Sequence, residues 1–348
     1  MTFKELKIGY VPYLPDLSQP GDRRRFPLFA KRQDVKFEIA QFDKKYEIIL
    51  LTATANLSKW LNYKKRNPGT KFIFELVDSL IFPSVLFDTL FKGVGKFLLH
   101  RESELYLNYK NLLVEWIKAA DLVICSNYEL IKNVKMWNCN VLLTLDYLEN
   151  EYQHTKTDYS INGKMKLLWE GQGVVLPQFL FFKEMLQEIS SFCELHIITT
   201  EKYPLFGNLI HRDVEKMLKR LPIETTFHKW DIDKNREIFS YCDCGIIPIS
   251  PRNKLAWYKP ANKLISFWLS GIPAVVSNTP AYSELMNNAD SYLYCSNINE
   301  WVSKLKMIKS LTEEERRGIA MKNLAYASKN FSNEIIDITW KNIFKKLS

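Results

Sequence analysis

Short aliphatic and β-branched runs alternate with helix-patterned segments along almost the whole chain, and that alternation is satisfied by a parallel sheet covered with helices. The first series of strands is expected at Lys7–Val11, Val35–Ile39, Glu47–Leu51, Lys71–Val77, Ala120–Ser126 and Val141–Leu145. Helices are expected between them at Pro27–Lys31, Ser58–Tyr63 and Asn127–Val134. The stretch 149–164, ENEYQHTKTDYSINGK, is polar and poor in large aliphatics, as a linker is. A second series then starts afresh at Lys166–Trp169 and continues through His196–Thr199, Glu224–Trp230, Cys244–Ile249, Pro273–Ser277 and Ser291–Cys295. A chain of 348 residues is long for one core. The pattern therefore predicts an α/β protein of two Rossmann-like parallel-sheet domains, 1–160 and 161–330, with a C-terminal helix over 331–348 that can pack back toward the first domain.

Composition narrows the class. Hydrophobic residues make up 47% of the chain, ample for folded cores. The net charge of +9 suits an anionic partner, although no nucleic-acid-binding motif is present and none is expected as partner. The start, MTFKELKIGYVPY, has no apolar core with a cleavage site, and no run of about 18 apolar residues occurs, so a cytoplasmic location is expected. Six cysteines are scattered without a disulfide rhythm, and Cys242-Asp243-Cys244 lacks the second ligand pair of a zinc site, so no metal is expected.

Candidate ligand groups fall at strand ends and helix starts. In 257–283, WYKPANKLISFWLSGIPAVVSNTPAYS, Pro260 fits the first turn of a helix that Gly271 ends, and Tyr258, Lys259, Asn262 and Lys263 surround its start. Free N–H groups and the positive dipole end favour a phosphate there, with both lysines on one helix face. The first strand leads through Pro12, Pro15 and Pro20, an ordered non-helical loop, to Gly21-Asp22-Arg23-Arg24-Arg25. Arginine forks fit phosphate oxygens and Asp22 fits a substrate hydroxyl; a solvated charge run is the alternative. Glu75 and Asp78 close the strand FIFELVDS, where ligands of parallel sheets sit, or else cap the next helix. Segment 81–100 is amphipathic, basic and aromatic, fit either to rest on an anionic membrane or to pack in a core. After Trp169 comes Glu170-Gly171-Gln172-Gly173, a strand-to-helix turn that lacks the third glycine of a dinucleotide fingerprint. His228 and Trp230 could lie beside a base or pack, whereas His196, inside an apolar strand, reads as a core residue.

Two alternating domains joined near 160, WEGQG after the first strand of the second, and KPANKLISFWLSGIPAVVS near its end together resemble the GT-B glycosyltransferases, over most of the chain. The chain looks especially similar to bacterial enzymes that build capsule- and O-antigen-type surface polysaccharides. It implies two domains facing across a cleft, with a nucleotide-diphosphate sugar as co-substrate on the second and a glycan or lipid-linked acceptor on the first. It also implies transfer without a metal or further cofactor, and a cytoplasmic enzyme that can sit on the inner face of the membrane. The donor residues implied are Gly21, Arg23, Arg24, Arg25, Gly171, Gln172, Tyr258, Lys259, Asn262, Lys263 and Ser266; the catalytic or acceptor-orienting ones are Asp22 and Asp78. Ser266 stands where family members carry a ribose-binding glutamate, a departure that keeps a non-catalytic sugar-nucleotide-binding subunit among the alternatives, beside an epimerase of the same fold.

Overall fold

The computed structural model describes residues 5–78, 80–82, 93–153, 156–205 and 210–347. They form two compact units, the first of 1–147, 254–260 and 333–348, the second of 148–253 and 261–332. The division thus falls at Tyr147, not near 160, and the chain leaves the second unit for seven residues, 254–260, before returning.

The first unit holds six parallel strands: β1 (Ile8–Val11), β2 (Phe37–Ile39), β3 (Ile48–Thr52), β4 (Lys71–Leu76), β5 (Leu122–Cys125) and β6 (Val141–Leu143), in the order β2-β1-β3-β4-β5-β6. Every residue of β3 is buried, because a parallel sheet covered on both faces has no solvent side. The two-residue period sorts its side chains: Ile49 and Leu51 join Phe72, Phe74, Trp60 and Trp116 on one face. Ile48 and Leu50 join Ile73, Phe26, Phe29 and Trp340 on the other.

Trp340 and Phe344 come from the helix Asn333–Leu347, which belongs to this first unit. Their rings stack on Phe29 at centroid distances of 5.7 and 5.9 Å. From the same helix Asp337 accepts hydrogen bonds from Arg32 (2.9 Å) and the Tyr147 hydroxyl (2.7 Å).

The second unit holds β7 (Met165–Glu170), β8 (Cys193–Thr199), a hairpin of β9 (Lys202–Leu205) with β10 (Ile210–Asp213), then β11 (Thr225–Lys229), β12 (Cys244–Ile247), β13 (Ala274–Ser277) and β14 (Tyr294–Cys295). Its parallel sheet runs β11-β8-β7-β12-β13-β14. Strand order reverses between β7 and β12 here and between β1 and β3 in the first unit, so each unit opens a crevice at the carboxyl ends of those strands.

Local expectations needed five adjustments. Pro20 starts a single helical turn, Pro20–Arg23, inside the loop expected to be non-helical. The apolar segment after Gly171 is a 3₁₀ stretch, Gly173–Phe182, with Pro177 inside it, and regular helix begins only at Lys183. The segment from His211 to Leu221, helix-patterned in sequence, opens with His211 in β10 and becomes helical only at Val214. The strand expected from Ser291 shortens to Tyr294–Cys295 because Asp290 and Tyr292 take left-handed conformations. Pro260 precedes its helix, which runs Asn262–Leu269 with Ala261 as the N-cap.

Trp340 fills the space under Phe26 and Phe29, so Trp340→Ala is expected to destabilise the first unit by about 3–5 kcal/mol. Denaturant unfolding measures this, and a loss under about 1 kcal/mol would show the helix to be dispensable.

Candidate functional site

At the carboxyl end of β7 the chain turns through Glu170, Gly171 and Gln172. Glu170 accepts hydrogen bonds from the Tyr152 hydroxyl (3.0 Å) and from Trp230 Nε1 (3.1 Å), which fixes its carboxylate within the unit. The Gly171 N–H donates to the Ile198 carbonyl (3.1 Å). A Cβ at Gly171 would run into Lys263 Nζ and come within 2.8 Å of the Trp169 ring, so only glycine lets the loop pass here. Lys263 Nζ in turn lies 4.7 Å from the centroid of Trp169, a cation–π contact that holds the ammonium against the loop.

Lys263 stands in the first turn of the helix Asn262–Leu269, whose N-cap Ala261 makes no side-chain hydrogen bond to the helix start. The backbone N–H groups of that turn keep their pull on an anion. Gly171, Asn262 and Lys263 are thus brought to one place, with Gln172 exposed at the next loop position. On the neighbouring strand end, Ser277 Oγ accepts from the Ile249 N–H (2.7 Å) and pins the loop after β12. Ser266 is buried one turn into the helix, and its hydroxyl donates to the Asn262 carbonyl (2.9 Å). Its side chain bonds its own helix where a glutamate would reach outward.

Lys259, expected on the same helix face as Lys263, precedes the helix and, with Tyr258, belongs to the first unit. Tyr258 stacks on Phe82 (centroids 4.3 Å apart, 9° between planes), and its carbonyl accepts from Asn127 Nδ2 (2.9 Å). Lys259 Nζ lies 3.8 Å from Asp78. Asp78 is the half-exposed one of the two carboxylates expected to react.

Asp22 is fully buried and accepts from the Tyr10 hydroxyl (2.8 Å), the Tyr13 N–H (2.9 Å) and the Leu14 N–H (3.1 Å). Its carboxylate clasps the loop after β1, and Gly21 lies against the Tyr13 ring. Arg25, expected as a phosphate fork, is buried: Nε donates to Glu75 (2.6 Å) and Nη1 to Asp146 (2.8 Å). A guanidinium so enclosed by carboxylates faces away from an incoming phosphate. Burial, partly offset by Arg25, pushes the Glu75 carboxyl above the ordinary range. Arg23 and Arg24 are half-buried, and the Arg24 carbonyl accepts from the Tyr147 N–H (2.8 Å). Trp169, Tyr152 and Asp146 are the site residues that sequence reasoning missed, while Trp230, expected beside a base or packed, is taken up by Glu170. Only the position of Trp169, directly before the glycine turn, could have flagged one of them.

His196 is buried, with Nδ1 3.0 Å from His228 Nε2 and Nε2 3.2 Å from Glu194. His228 is therefore committed to a histidine pair, and Trp230 to Glu170. Of the segment 81–100, residues 83–92 lie outside the described residues. No described helix is long and apolar enough to cross a membrane.

No family model matches the chain, and no curated protein matches it in sequence. Solved structures do. HepE of Anabaena in complex with UDP and glucose superposes with a TM-score of 0.67 at 12% identity, over 98% of this chain and 100% of that one. The fold is that of the GT-B glycosyltransferases. A glycosyltransferase of Rickettsia africae shares this GT-B fold at TM-score 0.60 and 12% identity, over 98% and 97% of the two chains. S. aureus TarM, solved with fondaparinux, α-GlcNAc-glycerol and UDP, matches at TM-score 0.56 and 9% identity over 85% of this chain. The chain spans about half of TarM, 55% of its length. At these identities the GT-B likeness is one of fold.

Two outcomes are expected. Gly171→Ala is expected to push Lys263 Nζ off the Trp169 ring and lower the melting temperature; an unchanged melting temperature would show that the turn accepts a side chain. His228 is held neutral, its pKa lowered below 6.5 by burial and then by His196. The unfolded chain binds that proton at about 6.5 and the folded chain only at lower pH, so the stability it contributes is complete above about 6.5 and falls as pH drops toward the folded value. His228→Gln should flatten that acid slope, measured by denaturation midpoints from about pH 5 to about pH 7.5; an unaltered slope would assign the effect elsewhere.

Proposed function

We propose that the chain transfers a sugar from a nucleotide-diphosphate-sugar donor to a glycan or lipid-linked acceptor in surface polysaccharide synthesis, without a metal or further cofactor. The observation that carries this reading is the meeting of Gly171, Lys263 and the N-terminus of the helix Asn262–Leu269 at the strand-order reversal of the second unit. Donor diphosphate charge grows as the glycosidic bond breaks. The Lys263 ammonium and the N–H groups of the first helical turn are the groups suited to stabilise it. Gly171 admits the phosphates close to the backbone and Gln172 borders them. Asn262 reaches nucleotide or sugar hydroxyls. The solved GT-B structures with UDP and with UDP and glucose support a nucleotide-sugar ligand.

On the first unit, Asp78 is the carboxylate proposed to orient an acceptor hydroxyl, with Lys259 beside it. Asp22 acts through the loop it clasps, and Gly21, Arg23 and Arg24 shape that loop. Tyr258 supports Lys259 by its stack on Phe82. The reading places the enzyme in the cytoplasm on the inner face of the membrane, where a lipid-linked acceptor is presented.

Ser266 favours a second reading, a sugar-nucleotide-binding subunit without turnover, because its hydroxyl is bonded to Asn262 and offers the ribose no acid. Purified protein is mixed with UDP-, GDP-, CDP- and dTDP-sugars, with and without glycan and lipid-linked acceptors, following thermal shift and release of nucleoside diphosphate. Transfer is expected, with Lys263→Ala lowering nucleotide affinity by about tenfold or more. Binding without release would establish the second reading, conversion of the sugar without acceptor would make the chain an epimerase, and no shift with any donor would sink both binding readings.

A further inference from the structure

We propose that the turn 97–101 of the first unit docks on the surface of an anionic lipid bilayer. This deepens the membrane part of the reading above and is independent of glycosyl transfer. Residues 93–98 form a helical turn that closes at His100, which takes the left-handed conformation (φ 53°). The Arg101 N–H bonds the Lys96 carbonyl (2.8 Å) and the His100 N–H the Phe97 carbonyl (3.0 Å), the paired bonds of a helix-terminating turn.

The base of the turn is built into the core. Lys96 is buried and its ammonium donates to Glu102 (3.2 Å), the Tyr109 hydroxyl (2.5 Å) and the Ala55 carbonyl (3.3 Å). Glu102, also buried, accepts from the Leu57 and Ser58 N–H groups at 3.1 and 3.0 Å and so caps the helix Leu57–Arg66. Gly93 lies directly against the Tyr106 carbonyl, where any side chain would collide. On this pedestal the tip faces outward: Leu98 is 70% exposed, Leu99 58% and Phe97 37%. Apolar side chains held so firmly in water are a standing cost with no compensation inside the unit.

Charge selects the occupant. Arg101 and His100 are exposed in the turn itself. Asn62, bonded to the exposed Glu104 (3.1 Å), has exposed Lys59, Lys65 and Arg66 as its helical neighbours three or four positions away, so cations outnumber the Glu104 carboxylate there. An apolar tip with a basic rim is what binds an anionic headgroup layer, the leucines entering the acyl boundary. Leu105 and Leu107, exposed in the segment that follows, extend the apolar surface, and the net charge of +9 sets a second copy of the chain against the basic rim while favouring an anionic headgroup layer.

The full chain is sedimented with phosphatidylcholine vesicles with and without phosphatidylglycerol, with no donor present. Binding is expected only with phosphatidylglycerol and is expected to fall by about tenfold or more in L98S/L99S. Retention of the wild-type melting temperature shows the variant folded. As a second readout, Leu98→Trp should shift its emission to the blue on the anionic vesicles. No wild-type sedimentation, equal sedimentation of L98S/L99S, no blue shift, or concentration-dependent dimerisation lost in L98S/L99S would each overturn the inference. Because the assay contains no sugar nucleotide, its failure leaves the transferase reading to its own test.

Discussion

A strand paired in parallel on both sides and covered on both faces keeps its polar side chains to its ends unless, like His196 in β8, they find polar partners within the sheet. That constraint organises both units. β3 and β5 are buried throughout, and the charged residue Glu75 appears one residue before the end of β4. Glu170 likewise closes β7. Each carboxylate must then be satisfied where it emerges, Glu75 by Arg25 and Glu170 by Tyr152 and Trp230. The rims at the strand ends are therefore laid over an already committed polar layer.

The two readings of the arginine run show how far a sequence reaches. Gly21 to Arg25 has the composition of a phosphate loop or of a solvated surface. Which arginine is buried depends on Glu75 and Asp146, which arrive from distant strands and carry no local mark. Lys259 and Lys263 have the spacing of one helical turn, yet the chain turns at Lys259, whose N–H bonds the Ala256 carbonyl (3.3 Å), and helix begins only at Asn262. Proline at 260 is compatible with either arrangement.

Features set by near neighbours were legible. Thr312 and Glu315 form the capping box their spacing requires, and the two strand series produce two six-stranded parallel sheets. The glycine turn at 171 was also visible as a backbone device. Its partner was not, since Lys263 reaches it only after β12 is placed beside β7. The hairpin β9–β10 escaped because its strands read equally well as the flank of a helix.

The stacking of Trp340 and Phe344 on Phe29 also dictates an order of assembly. One face of the first sheet is closed by residues 333–347, which a ribosome delivers after all of the second unit. Until then Phe26, Phe29 and Ile73 lack their lid, while the second unit already has its own strands and helices in hand. The unit that begins the chain is thus the one that finishes folding last, and its open face during synthesis is where a chaperone would find apolar surface.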